Sequence, residues 1–181
     1  PDFGLTVGAP SIAKDKDGKA IAIVSSGYEN VTDTGSIFIL NIDKPKGQTW
    51  NSSNYTKITL GGRGVGPVFV FDSNGDGIPE KLYAGDYDGN LWRVDYNHST
   101  GAWTPSKLFT GGSAPFTTAP AATITNGKLY VIAGTGQYLT ANALDSNQQN
   151  YAYGFFDTGE TLTQSDLLSQ TIGPKITEGV G

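Results

Sequence analysis

Residues 72 to 80 read Asp-Ser-Asn-Gly-Asp-Gly-Ile-Pro-Glu, a nonapeptide with oxygen-bearing side chains at its first, third, fifth and ninth positions and Gly at its sixth. Hard cations take oxygen ligands, and alternate side chains of a tightly curled loop can aim at one centre. In this arrangement Asp72, Asn74 and Asp76 each offer a side-chain oxygen, Ile78 its backbone carbonyl, and Glu80 a carboxylate, directly or through water. Gly77 permits the sharp turn. The chemistry is that of Ca²⁺. Mg²⁺ demands stricter octahedral geometry and keeps its waters, and zinc would want His or Cys. The EF-hand comparison fails at the twelfth position, where Tyr83 stands in place of a bidentate Glu, and the flanks read as strands.

An ordinary Asp/Asn/Gly turn needs one or two such residues, not four at alternating positions. Six acidic residues, Asp72, Asp76, Glu80, Asp86, Asp88 and Asp95, fall within 24 positions of a chain that holds 17 in all. The nonapeptide has no Lys or Arg of its own, and Lys14 and Lys107 are far from it in sequence. Mutual repulsion is therefore expected to leave the loop poorly ordered without a cation. Two other turns are weaker. Asp15 to Lys19 sets Lys beside its carboxylates, and Asp86 to Asn90 is too short to enclose an ion, so both read as hairpin turns. Nothing is assigned to Asp145 to Gln149.

Other chemistries fail on inventory. There is no Cys, and His98, the one His, falls in the polar turn Asn97 to Gly101. It reads as a solvated surface residue. No Gly-x-Ser-x-Gly elbow or Walker loop occurs, and the run Gly61-Gly62-Arg63-Gly64-Val65-Gly66 lacks the helix that a dinucleotide fingerprint requires. No enzyme is expected. A net charge of -5, with no cluster of basic residues, argues against nucleic acid. No window approaches 18 consecutive apolar residues, so no membrane insertion by this segment is expected. Sequons begin at Asn30, Asn51, Asn54 and Asn97, as chance produces in so polar a chain.

The elements that would hold the loop are strands. With 181 residues, 25 of them Gly and only 16% charged, the chain suits one β-rich domain better than a set of solvated helices. Runs Ala20 to Ser25, Ser36 to Ile42, Val68 to Phe71, Lys81 to Ala84, Asn90 to Val94 and Lys128 to Ala133 are rich in Val, Ile, Tyr and Phe. Asp17-Gly18, Asp76-Gly77, Asp88-Gly89 and Asn126-Gly127 punctuate them. One short helix is expected, Thr163 to Leu168.

Self-similarity narrows the architecture. From Pro10 the order is strand, polar turn, strand, small-residue break, strand and Asp43, then Gly47 and Trp50. It returns from Pro67, ending in Leu91 to Asp95, Gly101 and Trp103, and partly from Pro120, closing at Tyr153 to Asp157. A period of about 50 residues with four short strands is that of a β-propeller blade. A β-sandwich need not repeat an internal order. The expected fold is an all-β, quinoprotein-like β-propeller segment with blade-like copies at 10–66, 67–119 and 120–158 and a tail at 159–181. Three copies are too few to close a ring, and with no Met the chain reads as part of a larger protein. Trp50 and Trp103 are expected to pack between blades, whereas the face of Trp92 is left open.

The stretch from Asp72 to Asp95 closely resembles the propeller segment of the PilC/PilY family, adhesins and biogenesis factors associated with bacterial type IV pili. Gly8-Ala9-Pro10, Ser25-Ser26-Gly27-Tyr28, Gly134-Thr135-Gly136-Gln137-Tyr138 and Tyr153 to Asp157 look like successive blades of the same domain. The resemblance implies Ca²⁺ on Asp72, Asn74, Asp76, Ile78 and Glu80. It also implies that calcium modulates pilus extension and retraction. The ninth position in that family is usually Asp, so the longer Glu80 is a departure.

The implied location is the bacterial surface at the outer membrane and pilus tip. The implied partners are pilin or minor pilins, a host-cell receptor, and the remaining blades of the parent propeller; the implied roles are host-cell adhesion, twitching motility and virulence. A calcium-stiffened repeat domain of another secreted or surface protein is the alternative, such as an integrin-like propeller or an accessory domain of a polysaccharide-degrading enzyme. No quinone cofactor is expected, because no array of binding side chains accompanies the blade motif.

Overall fold

The computed structural model describes residues 2–112, 114–137 and 149–170. Tyr138, Asp145 and the end of the expected tail, 171–181, lie outside them. The described chain forms three antiparallel sheets. The first runs β1 (Ser11–Lys14), β2 (Ala20–Ser25), β3 (Ser36–Asn41) and β4 (Tyr55–Thr59), in sequence order. The second contains β5 (Phe69–Phe71), β6 (Lys81–Gly85), β7 (Asn90–Asn97) and β8 (Ala102–Thr110), and the third β9 (Ala121–Thr125), β10 (Lys128–Gly134) and β11 (Ala152–Phe156). A two-residue strand, β12 (Leu162–Thr163), then returns to pair in parallel with β8.

Alternation dictates which faces meet. In β2, Ile21, Ile23 and Ser25 are buried and their neighbours half-buried, the period-2 signature of a strand with one covered face. β6 and β7 differ, because the second sheet is covered on both sides. Leu82, Ala84, Trp92 and Val94 join Ile21, Ile23, Ile37 and Ile39 in a core shared with the first sheet. Tyr83 and Leu91, from the opposite face, join Phe109, Phe116, Val131 and Phe155 in a second core shared with the third.

Polar contacts fix the stacking of the sheets. Arg93 crosses to Asp157, which also accepts the Tyr83 hydroxyl at 2.6 Å, and the Arg93 guanidinium donates to the Ser106 hydroxyl at 2.9 Å and the Gly159 carbonyl at 2.8 Å. Arg93 and Asp157 side chains are 6% and 2% exposed, so each charge depends on the other. Burial pushes the Asp157 carboxyl up, but Tyr83, Arg93 and the Gly159 N–H outweigh it and hold it below the usual carboxylate range.

On the other side, Asp86 is fully buried and accepts the Asn90 N–H and side-chain amide and the Trp92 indole N–H at 2.7 to 2.8 Å. Burial raises its pKa and these bonds only partly oppose it. The glycine run that mimicked a nucleotide loop is explained here. It links β4 to β5 and presses on the Asp86 turn, and a Cβ on Gly62 would lie 1.8 Å from the Asp86 carboxylate.

Two expectations are revised and one is met. Trp50 does not wedge between sheets: it is half exposed, with the Lys44 ammonium over its ring. Trp103 does pack against the first core. The expected helix at Thr163 to Leu168 shrinks to a 3-10 turn, Gln164–Asp166, with Asp166 accepting the Thr163 N–H and hydroxyl. Asp157→Asn should destabilise the protein by about 3 kcal/mol at neutral pH, since it leaves the buried Arg93 guanidinium with only the exposed Asp95 as a carboxylate partner. Because the native Asp157 pKa is lowered, its contribution exists above the unfolded value near 3.9 and fades as pH falls through the native one. Denaturant titrations of both proteins from pH 7 to pH 3 should show the gap closing in acid.

Candidate metal centre

The loop from Asp72 to Glu80 joins β5 to β6, antiparallel neighbours whose register, Phe71 opposite Lys81, fixes its two ends only one strand spacing apart. Nine residues must therefore curl, and their short polar side chains close the curl by bonding backbone N–H groups two to five residues ahead. Asp72 accepts the N–H of Gly75 at 2.7 Å on one oxygen and that of Gly77 at 2.8 Å on the other. Asn74 accepts from Asp76 N–H, and Asp76 from Ile78 N–H at 2.7 Å. The Asn74 amide donates to the second Asp76 oxygen at 3.0 Å. Gly77, at φ +87°, makes the left-handed bend.

Asp72, Asn74 and Asp76 thus lie on one short curl, each bonded to the backbone just ahead of it. Their oxygens are hard donors, and each carboxylate oxygen that accepts one N–H keeps a second lone pair for a ligand. The carbonyls of Asp76 and Gly77 are taken by Lys14, whose ammonium and N–H donate at 2.9 and 2.7 Å. No hydrogen bond among the described residues ends on the Ile78 carbonyl. Glu80 is placed differently: its carboxylate caps the Ser73 N–H at 2.6 Å. Among the described residues no three His, Asp or Glu side chains gather closely enough to hold a metal by themselves. The hard donors available on the curl are the two carboxylates of Asp72 and Asp76, the Asn74 amide oxygen and the Ile78 carbonyl, with the Glu80 carboxylate turned to Ser73.

The expectation that repulsion governs the loop's order needs correcting. Each carboxylate is bound to N–H donors, and the Lys14 ammonium reaches across from the first sheet. Lys14 belongs to the loop in space although 62 residues separate it from Asp76, a link no spacing motif could reveal. His98 is likewise engaged, its Nε2 lying 3.2 Å from the Pro79 carbonyl and its ring against Tyr96. The Ile78 N–H, more than the Asn74 amide, His98 or Lys14, holds the Asp76 carboxyl below its ordinary range. Gly77→Ala should cost about 1–2 kcal/mol through the left-handed backbone, more than Gly75→Ala, because a Cβ at Gly77 would also meet Lys14 at 3.2 Å whereas that at Gly75 meets nothing. Thermal melts of the two variants measure the difference.

With this geometry in hand, comparison with known proteins is informative. Residues 1–177 match the PilY1 beta-propeller domain family. A type IV pilus biogenesis factor PilY1 homolog of Xylella fastidiosa is 28% identical over 174 residues, covering 93% of this chain and 14% of that protein. The type IV pilus biogenesis factor PilY1 of Pseudomonas aeruginosa strain PAO1 is 30% identical over 95 residues, covering 52% of this chain and 8% of its own length. The crystal structure of the P. aeruginosa PilY1 C-terminal domain superposes with a TM-score of 0.76 at 24% identity, over 92% of this chain and 42% of that one. The chain therefore spans a small part of these relatives. The three successive sheets of neighbouring strands, the two cores packed between them and the match over residues 1–177 together place this chain in the PilY1 β-propeller domain family.

Proposed function

We propose that this chain is a calcium-binding propeller segment of a type IV pilus biogenesis factor, in which the ion modulates pilus extension and retraction and, through them, host attachment. The observation that supports calcium is the short curl of Asp72, Asn74 and Asp76 beside the Ile78 carbonyl. Support for the pilus role comes from family membership and from the relatives, which are type IV pilus biogenesis factors by name. The role is binding and regulation rather than catalysis. It is exercised at the bacterial surface and pilus tip, with pilin or minor pilins, a host-cell receptor and further blades of the parent protein as partners.

A ligand shifts an equilibrium only by its differential affinity for two states. The loop offers such a difference. It holds β5 against β6 and receives Lys14 from the first sheet, so a cation bound there would tighten the second sheet and its contact with the first together. Calcium at about 100 times its Kd would add roughly 2.7 kcal/mol of stability if the unfolded chain does not bind it.

Calorimetric titration of chelator-stripped protein should show one calcium ion per chain, lost in Asp76→Ala; equal heats from the two proteins would sink the assignment. In the parent protein, Asp72→Ala or Asp76→Ala should leave expression intact and alter surface piliation and twitching. Lys14→Ala cannot serve as the neutral control, because Lys14 touches the loop. Lys107, whose ammonium rests over the Trp92 ring, can. Normal piliation and motility in loop variants shown to have lost calcium would leave a purely structural ion.

A further inference from the structure

The first two sheets separate at one end. Along their shared core Ile23, Ile37, Ala84 and Val94 fill the space between them, but beyond Ile21 and Ile39 the facing residues become Thr56 on β4 and Tyr96 and Trp103 on β7 and β8. There the sheets leave a cleft of about 270 Å³. Both walls belong to the described chain, so no further blade is needed to form it. Its floor is apolar, Ile21 and Ile39. One wall is aromatic: Tyr96 and Trp103 lie against each other at 4.3 Å, and the Tyr96 hydroxyl is fixed by the Lys16 N–H at 2.8 Å.

The rim is polar and open to solvent. Asn41, Ser52 and Thr56 line the cleft, and among the described residues no protein group takes up the Ser52 and Thr56 hydroxyls or the Asn41 side-chain amide nitrogen. Asp15 uses one carboxylate oxygen for the Asp17 and Lys19 N–H groups, leaving the other uncommitted. A small concave site with an apolar floor, an aromatic wall and a few polar groups is the ordinary form of a small-ligand pocket, and the volume falls just below the roughly 300–1,000 Å³ range. The ligand must then be small, must carry one apolar face for the ring wall, and must present several hydroxyls that both donate and accept to Asn41, Ser52, Thr56 and Asp15. A pyranose has that shape, with axial C–H groups on one side and hydroxyls around its edge. Anionic sugars are disfavoured by Asp15 and by a net charge of -5.

We propose that this cleft binds a single neutral hexopyranose unit of a glycan, with Trp103 and Tyr96 as the platform and Ser52, Thr56, Asn41 and Asp15 as the hydroxyl-reading rim. The site is separate from the Asp72 to Glu80 loop and does not rest on calcium binding. The test uses the 181-residue chain with the methyl pyranosides of glucose, galactose and mannose, and with N-acetylneuraminic acid as the anionic comparison, read by saturation-transfer NMR and tryptophan fluorescence. At least one neutral pyranoside should give a saturable response, stronger than that of the acid.

Ser52→Ala combined with Thr56→Val should weaken the response at least tenfold without changing the melting temperature. Trp103→Ala should abolish it, but as Trp103 also packs on the core, the rim variant decides if that protein fails to fold. No saturable response to any neutral pyranoside would overturn the proposal. So would a response undiminished in the rim variant, or a preference for the acid.

Discussion

The second sheet is buried on both faces, and most of the molecule's organisation follows from that constraint. A strand with two covered faces has no solvent side on which to place its polar residues, so β7 reads Asn-Leu-Trp-Arg-Val-Asp-Tyr-Asn with its first five residues all buried. Each fully buried large apolar side chain among them is worth about 1.5–3 kcal/mol. Its polar members must then be matched one by one. Arg93 finds Asp157, Asp95, Ser106 and Gly159; Asn90 and Trp92 converge on Asp86. The buried polar groups are thus located where neighbouring sheets must be held in one relative position, the Asp157 network toward the third sheet and Asp86 beneath the glycine run that leads in from the first.

This double burial also decides what could be read from sequence. Short apolar runs with turn signals between them mark β2, β3, β6 and β10 close to their bounds, because strands paired on both sides carry the pattern that burial requires, and they mark the short edge strand β5 as well. β4 and β8 were indistinct. β4 is an edge strand, and β8, Ala-Trp-Thr-Pro-Ser-Lys-Leu-Phe-Thr, is covered beyond β7 only at Phe109 and Thr110 by β12, so its open length holds a Pro and several polar residues. The repeat order was legible because each sheet reuses the same sequence of turn, strand and small-residue break. Trp50 misled because an aromatic at a repeated position need not have a repeated environment: its counterpart Trp103 meets the first core, while Trp50 stays half exposed beneath Lys44.

In the loop, Asx side chains at alternate positions bond the backbone just ahead of them, a local pattern that does not depend on what lies around. What spacing could not supply was the neighbour. Lys14 arrives from another sheet, and its contact exists only because stacking brings the end of β1 over the β5–β6 connection. The same limit applies to Glu80. Its distance in sequence suits a ligand, but the start of β6 holds it where its carboxylate meets the Ser73 N–H.

These two facts change how the loop should be understood. With no basic residue in the nonapeptide, charge repulsion is the natural first expectation. With Lys14 present, the loop already has a cation at its edge, one attached to the first sheet rather than dissolved in the medium. That ammonium binds a backbone carbonyl and does not occupy the side-chain oxygens, so it relieves part of the repulsion while leaving Asp72, Asn74 and Asp76 their remaining lone pairs. The hairpin turn that follows Lys14, Asp15 to Lys19, packs by Lys16 against Tyr96. The end of β1 therefore touches the loop through Lys14, and the connection that follows it touches the aromatic wall of the inter-sheet cleft through Lys16. Any shift of that turn must alter both, since Lys14 and Lys16 are two residues apart on the same rigid hairpin.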